Sequence, residues 1–243
     1  MRHTLIILLF AWALFPTCSS GQFDLKKFGK DVDKTINANK PLTSQEITDG
    51  LKQALTIGSQ NAGTSSSKIN GYFGNSLIKI LFPPEAQKME SRLRSIGMNK
   101  QVDDFILTMN RAAEEAAKNA APIFATAIRN MTINDGLSIL RGNDSAATHF
   151  LREKTNIELY TNFKPVIKSA IQKVDVTKYW NPLITAYNKI PLVEPMNPNL
   201  DDYITQKGLQ GLFTLVLQEE TKIRKDPAAR VTNLLKKVFG NKS

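Results

Sequence analysis

The sequence has very little of what metal, redox and nucleophilic chemistry require. Its 243 residues include one cysteine, Cys18, and two histidines, His3 and His149. Cys18 and His3 both fall in an N-terminal stretch that reads as a leader, so the rest of the chain has one histidine and no cysteine. Within one chain this excludes a Cys/His zinc cluster, a Cys–His nucleophile pair and an internal disulfide framework. A Ser-His-Asp triad would have to be built on His149, and no G-x-S-x-G elbow accompanies it. GxxxxGK[ST] and GxGxxG phosphate loops are also missing, as is the EF-hand spacing, so no cofactor or metal is implied. Beyond the leader there is no apolar run of the roughly 20 residues that a membrane-spanning helix needs.

The leader itself is clear. "MRHTLIILLFAWALFPTCSSGQ" has a basic start (Arg2, His3), an apolar run from Leu5 to Phe15, then Pro16 and small residues. This is the pattern of a secretory signal, with an apolar run too short to span a bilayer. Two processing routes are open. Cys18 sits where a lipoprotein signal places its acylated cysteine, although the preceding Phe15, Pro16 and Thr17 suit that site poorly. The other route is cleavage after Gly21. The chain is thus expected to be exported, periplasmic or lipid-anchored in a bacterial envelope. A short helix or linker is expected over 22–41, and a single domain over 42–240.

Charge is strongly one-sided. Lys and Arg total 32 against 22 Asp and Glu, a formal +10, and removing Arg2 with the leader leaves 31 against 22, or +9. An exported basic protein points to an anionic envelope component or a partner protein, with nucleic acid the poorer fit. Solubility alone is the plainer explanation of the same charge.

Helix signals dominate the rest. Thr43 and Glu46 form a capping box ahead of Ile47, Leu51, Ala54 and Leu55, in a helix expected to end near Gly63. Val102, Phe105, Ile106, Met109, Ala112, Ala113 and Ala116 make one apolar face. Thr132 and Asp135 open another helix, which Gly142 closes as a C′ residue. Pro165 is expected to kink or restart a long helix, and Asp226-Pro227 to open the last one. "SLIKILFPP" is apolar but of undecided type, and Asn70-Gly71 could mark a hairpin. The fold class is all-α, a single-domain bundle of roughly eight to ten helices.

Two polar stretches are candidate sites. In "MNRAAEEAA", Asn110, Arg111 and Glu114 lie within one turn of an Ala-rich helix. Facing inward they would form a register-fixing network, and lining a groove they could hold a polar ligand. In "RGNDSAATHFLREKT", Asn143 or Asp144 reads as an N-cap. It leaves amides near Ala146 and Ala147 at a helix start, with Arg141, Arg152 and Lys154 nearby for an anion. The candidate ligand-binding set is therefore Arg111, Glu114, Asn143, Asp144 and Arg152. No catalytic residue is assigned, since His149 has no evident partner. The adjacent acidic pairs Glu114-Glu115 and Glu219-Glu220 read as solvated charge.

The stretches "MNRAAEEAAKNAAPIF", "GNDSAATHFLREKT", "LDDYITQKGLQGLF" and "DPAARVTNLLKKVFG" appear in that order. Over about Leu42 to Gly240 the chain resembles the bacterial domain-of-unknown-function family 4197. The resemblance implies an exported helical protein. It brings no established activity, cofactor or catalytic residue, and His149 does not stand at a position that defines the family.

Overall fold

A computed structural model describes residues 41–95, 97–173, 180–181, 184–185 and 200–240. The leader, Cys18 and the 22–40 linker lie outside the described residues, as does most of the region between 174 and 199. Among the described residues there are eight α-helices and no strand. They are α1 (Ser44–Ser67), α2 (Gln87–Ser95), α3 (Asn99–Ala117), α4 (Ala120–Arg129), α5 (Ile133–Arg141), α6 (Ala146–Lys173), α7 (Leu200–Lys225) and α8 (Asn233–Gly240). The fold is an all-α bundle. None of these helices is long and apolar enough to cross a membrane.

Four long helices form its frame. α7 packs between α1 and α6, and α3 lies against α6, α7 and α1. The shorter α4, α5 and α8 close over the remaining face of α1, with α4 also reaching α6. The apolar face of α3 is the one its periodicity predicts: Val102, Phe105, Ile106, Met109, Ala112, Ala113 and Ala116 are all buried. Its alanines let α7 come close, and a Cβ built on Gly208 would sit 3.6 Å from that of Ala113. Gly211 is needed more strictly. A Cβ there would fall 2.7 Å from the Tyr72 ring, which fills this notch.

Several helix ends are set by local sequence. Capping boxes form at Thr43/Glu46 and Thr132/Asp135. Gly142 does end α5, but with φ −73° rather than in the left-handed region. Glycine is required there because a Cβ would lie 2.5 Å from that of Ala146. Other ends differ from expectation. α1 runs on to Ser67, since Ser66 returns its hydroxyl to the Ala62 and Gly63 carbonyls and stays buried in the helix. α6 continues through Pro165 as one helix, packed along its length on α3 and α7. Asp226 caps only a 3-10 turn (Pro227–Ala229). Thr232 accepts the Leu235 amide at 3.2 Å at the start of α8.

The undecided run after α1 opens as a turn, where the Ile78 and Lys79 amides donate to the Asn75 carbonyl at 3.1 and 2.8 Å, and from Lys79 to Pro83 it belongs to no helix or strand. Ile78, Ile80 and Phe82 are buried, while Leu77 and Leu81 face outward. Asn70 takes φ +64° in a tight turn rather than a hairpin, and among the described residues no strand pairs with the 77–82 run. Below this segment Phe82, Phe105 and Trp180 cluster, with Trp180 stacked on Phe105 at 5.1 Å and 9°.

Candidate functional site: two buried carboxylates

The first polar cluster rises from α3. Asn110 is fully buried, and its amide pairs with both backbone groups of Ile80. Its Nδ2 donates to the Ile80 carbonyl and its Oδ1 accepts from the Ile80 amide, each at 2.8 Å. One side chain thus satisfies both backbone groups of Ile80 and holds the irregular segment against the helix. One turn later, Glu114 Oε1 accepts the amides of Tyr72 at 3.1 Å and Phe73 at 3.2 Å. Its Oε2 pairs with Arg111 at 2.5 Å, and Arg111 also donates to Asn70 Oδ1 at 2.8 Å. Tyr72 completes the clamp by donating its hydroxyl to the Gly208 carbonyl at 2.6 Å. Burial, reinforced by the nearby Glu114 charge, pushes this phenol well above its ordinary pKa, so it stays a neutral donor.

The second cluster joins α7 to the start of α6. Glu220 Oε1 accepts the Ala147 amide at 3.0 Å, and Oε2 accepts the Thr148 amide at 2.8 Å and hydroxyl at 2.7 Å. Arg224, one turn along α7, pairs with Glu220 at 2.8 Å and donates to the Ile139 carbonyl at 3.0 Å. Both side chains are almost completely enclosed, at 6% and 3% exposure. The α6 N-terminus is an anion site by its free amides and its dipole, and Glu220 is the anion that occupies it. Arg224 Nη1 is buried without a protein partner, and the residue borders a cavity of about 20 Å³ between α1, α7 and α8, room for about one water.

These helices and both clusters fall within a single recognised unit. A family model described as "Protein of unknown function (DUF4197)" matches residues 41–240. The chain belongs to this family. No curated protein and no solved structure matches it.

Within the DUF4197 domain, the five candidate ligand-binding residues keep four sets of partners. Arg111 and Glu114 come together, as their spacing suggests. Asn143 accepts the Ser145 amide at 3.1 Å, capping the turn that precedes α6, and Asp144 pairs with Lys225 at 3.0 Å. Arg152 lies over the Phe213 ring at 4.8 Å. His149 is exposed in the first turn of α6. Among the described residues, no group of three or more His, Cys, Asp or Glu is placed to hold a metal.

The adjacent acidic pairs are not both solvated, contrary to their reading in sequence. Neighbours on a helix point about 100° apart. Glu114 therefore turns inward while Glu115 is exposed, and Glu220 is buried beside a partly exposed Glu219. Sequence reasoning missed Glu220 and Arg224 altogether. The signal was there: Leu209, Leu212, Phe213, Val216, Glu220 and Ile223 continue one helical stripe, all of it buried.

Two other carboxylates set the acid limit. Asp202 is held below the usual carboxylate range by the Tyr160 hydroxyl first and Lys164 second. Asp135 is lowered by its capping bonds to the Thr132 side chain and backbone. A lowered folded-state pKa contributes stability above the unfolded value, near 3.8, which is lost as pH falls through the folded value. Thermal midpoints should therefore hold between pH 7 and 5 and drop below about pH 4. Asp202→Asn should start lower and fall less steeply over that range. An equal slope in variant and wild type would refute the assignment.

Proposed function

We propose that this protein is an exported helical binding module whose basic surface engages an anionic component of the envelope. The observation that supports this most directly is how charge is divided between inside and outside. The most buried carboxylates, Glu114 and Glu220, are committed to backbone amides and to Arg111 and Arg224. Lysines such as Lys68 and Lys88 are exposed on a chain of net charge +10. A leader at residues 1–21, with or without acylation of Cys18, would deliver the domain to that setting.

Flotation of the chain beginning at Gln22 with vesicles provides the test. It should rise with vesicles containing about a third phosphatidylglycerol at low salt, be released as salt screens the charges, and ignore pure phosphatidylcholine. Failure to bind anionic vesicles at low salt, together with no partner recovered from envelope extracts, would overturn the proposal.

A second reading, a small-ligand carrier or enzyme with a carboxylate/Arg pocket, draws on one feature. Arg111 lines an open groove of about 580 Å³ between α3 and α6, beside Thr108, Glu115 and Pro165. Its guanidinium is already engaged by Glu114 and Asn70, so a ligand there would have to compete with the protein's own groups.

A further inference from the structure

The irregular segment between α1 and α2 runs beside α7, and together they carry an unusual surface. Ile69, Leu77 and Leu81 are 79%, 68% and 55% exposed, three of the seven large hydrophobic residues that are exposed among the described residues. Large aliphatic side chains clustered on a surface mark a contact site more often than chance. Lysines stand among them. Lys79 and Lys207 line one groove of about 280 Å³ with Leu77, Leu81 and Tyr203, and among the described side chains no carboxylate lines it. Lys68 and Lys222 border the neighbouring hollow, where Glu219, the one acidic residue among the described residues lining it, is paired with Lys222 at 2.5 Å and Asn61 at 2.8 Å.

From this we infer that the 68–82 segment and the adjoining face of α7 dock on an anionic phospholipid bilayer. This rests on the proposed binding function and gives it a location. Leu77 and Leu81 would enter the boundary between headgroups and acyl chains, while Lys79 and Lys207 meet lipid phosphates, with Tyr203 at headgroup level. Charge complementarity favours a lipid surface, and so does composition, since lysine is depleted at protein–protein interfaces but favoured beside anionic lipid. The buried clamp then acquires a purpose. Asn110 and Glu114 hold the segment from inside, and Tyr203 donates to the Leu81 carbonyl at 3.1 Å, so the outward leucines are presented without a further ordering cost.

The experiment is vesicle flotation of the chain beginning at Gln22, as wild type and three paired variants. Each lysine near an anionic surface contributes about fivefold in partitioning, so Lys79→Glu/Lys207→Glu should weaken binding to phosphatidylglycerol vesicles by about 25-fold or more. Leu77→Ser/Leu81→Ser should weaken it by about tenfold or more at unchanged charge. Lys168→Glu/Lys236→Glu, on exposed parts of α6 and α8, should cost much less. Leu77, Leu81, Lys168 and Lys236 are exposed, and Lys79 and Lys207 are half-buried with their ammonium groups over the Phe73 and Tyr203 rings. Thermal midpoints should therefore stay within a few degrees of wild type, and a larger shift would send the same test to Leu77→Gln/Leu81→Gln. If wild type binds but the leucine pair has no effect, or the α6/α8 pair costs as much as the segment pair, this docking face is wrong while the broader proposal survives. If wild type binds no anionic vesicle, or is held only by an acidic protein, the inference falls.

Discussion

Glu220→Ala should be among the most damaging single substitutions in the domain, lowering the thermal midpoint by on the order of 10 °C. It strips a partner from four groups at once: the buried Ala147 and Thr148 amides, the Thr148 hydroxyl and the enclosed Arg224 guanidinium. Removing one member of a buried pair costs about 3–5 kcal/mol, because the other charge is left unpaired, and a domain of this size loses about 2–4 °C per kcal/mol. Glu220→Gln keeps the shape and one acceptor oxygen, so it should fall between. Adding Arg224→Met to Glu220→Ala should recover part of the loss, because it removes the stranded cation. Circular dichroism melts of the four proteins provide the check. An alanine variant within about 2 °C of wild type would show that water or local relaxation replaces the carboxylate.

Asn110→Ala should be nearly as costly, but with a different signature. The Ile80 amide and carbonyl both lose their partner in a buried setting, at about 1–3 kcal/mol for each unsatisfied group. The effect should concentrate in the segment around Ile80, seen as faster amide hydrogen exchange from about residue 77 to 82 with α6 and α7 less affected. Asn110→Asp should not rescue it. A carboxylate offers acceptors only, so it can receive the Ile80 amide but sets an oxygen against the Ile80 carbonyl. If the aspartate variant matched wild type in exchange at these residues, the two-way amide pairing would be disproved.

How much of this was legible in the sequence depends on the range of the interaction. Capping boxes at Thr43 and Thr132, the apolar face of α3 and the Arg111–Glu114 pair involve residues three or four apart, and periodicity reveals them. The start of α6 was only half legible. Asn143 caps its own turn, yet the amides just after it are taken by Glu220, 73 residues away from Ala147. No local rule announces such a partner, although a carboxylate on an apolar stripe is a hint that one exists. The run "SLIKILFPP" was ambiguous for a related reason. Its alternation is strand-like, but what pairs with it is an asparagine side chain on a helix. The candidate ligand residues were chosen by chemistry and nearness in sequence, and the fold distributes them among separate partners because Asn143, Asp144 and Arg152 lie on the α5–α6 turn and α6, not on α3.

The packing of α1 also bears on the order in which the domain assembles. This helix lies against α7 and α8, and α8 fits so closely that a Cβ on Gly50 would meet Val238 at 2.9 Å. α1 also packs on α3, α4 and α5, but its most extensive single pairing, with α7, forms only when nearly all of the domain is available. Such distant pairings delay folding relative to an up-and-down bundle of equal size, because the long loop must close before its contacts repay it. A nascent chain that ends before α7 would lack Val216 and Ile223, which meet Leu51, Ala54 and Leu55 around the small cavity, giving chaperones or proteases a defined window in which to recognise it.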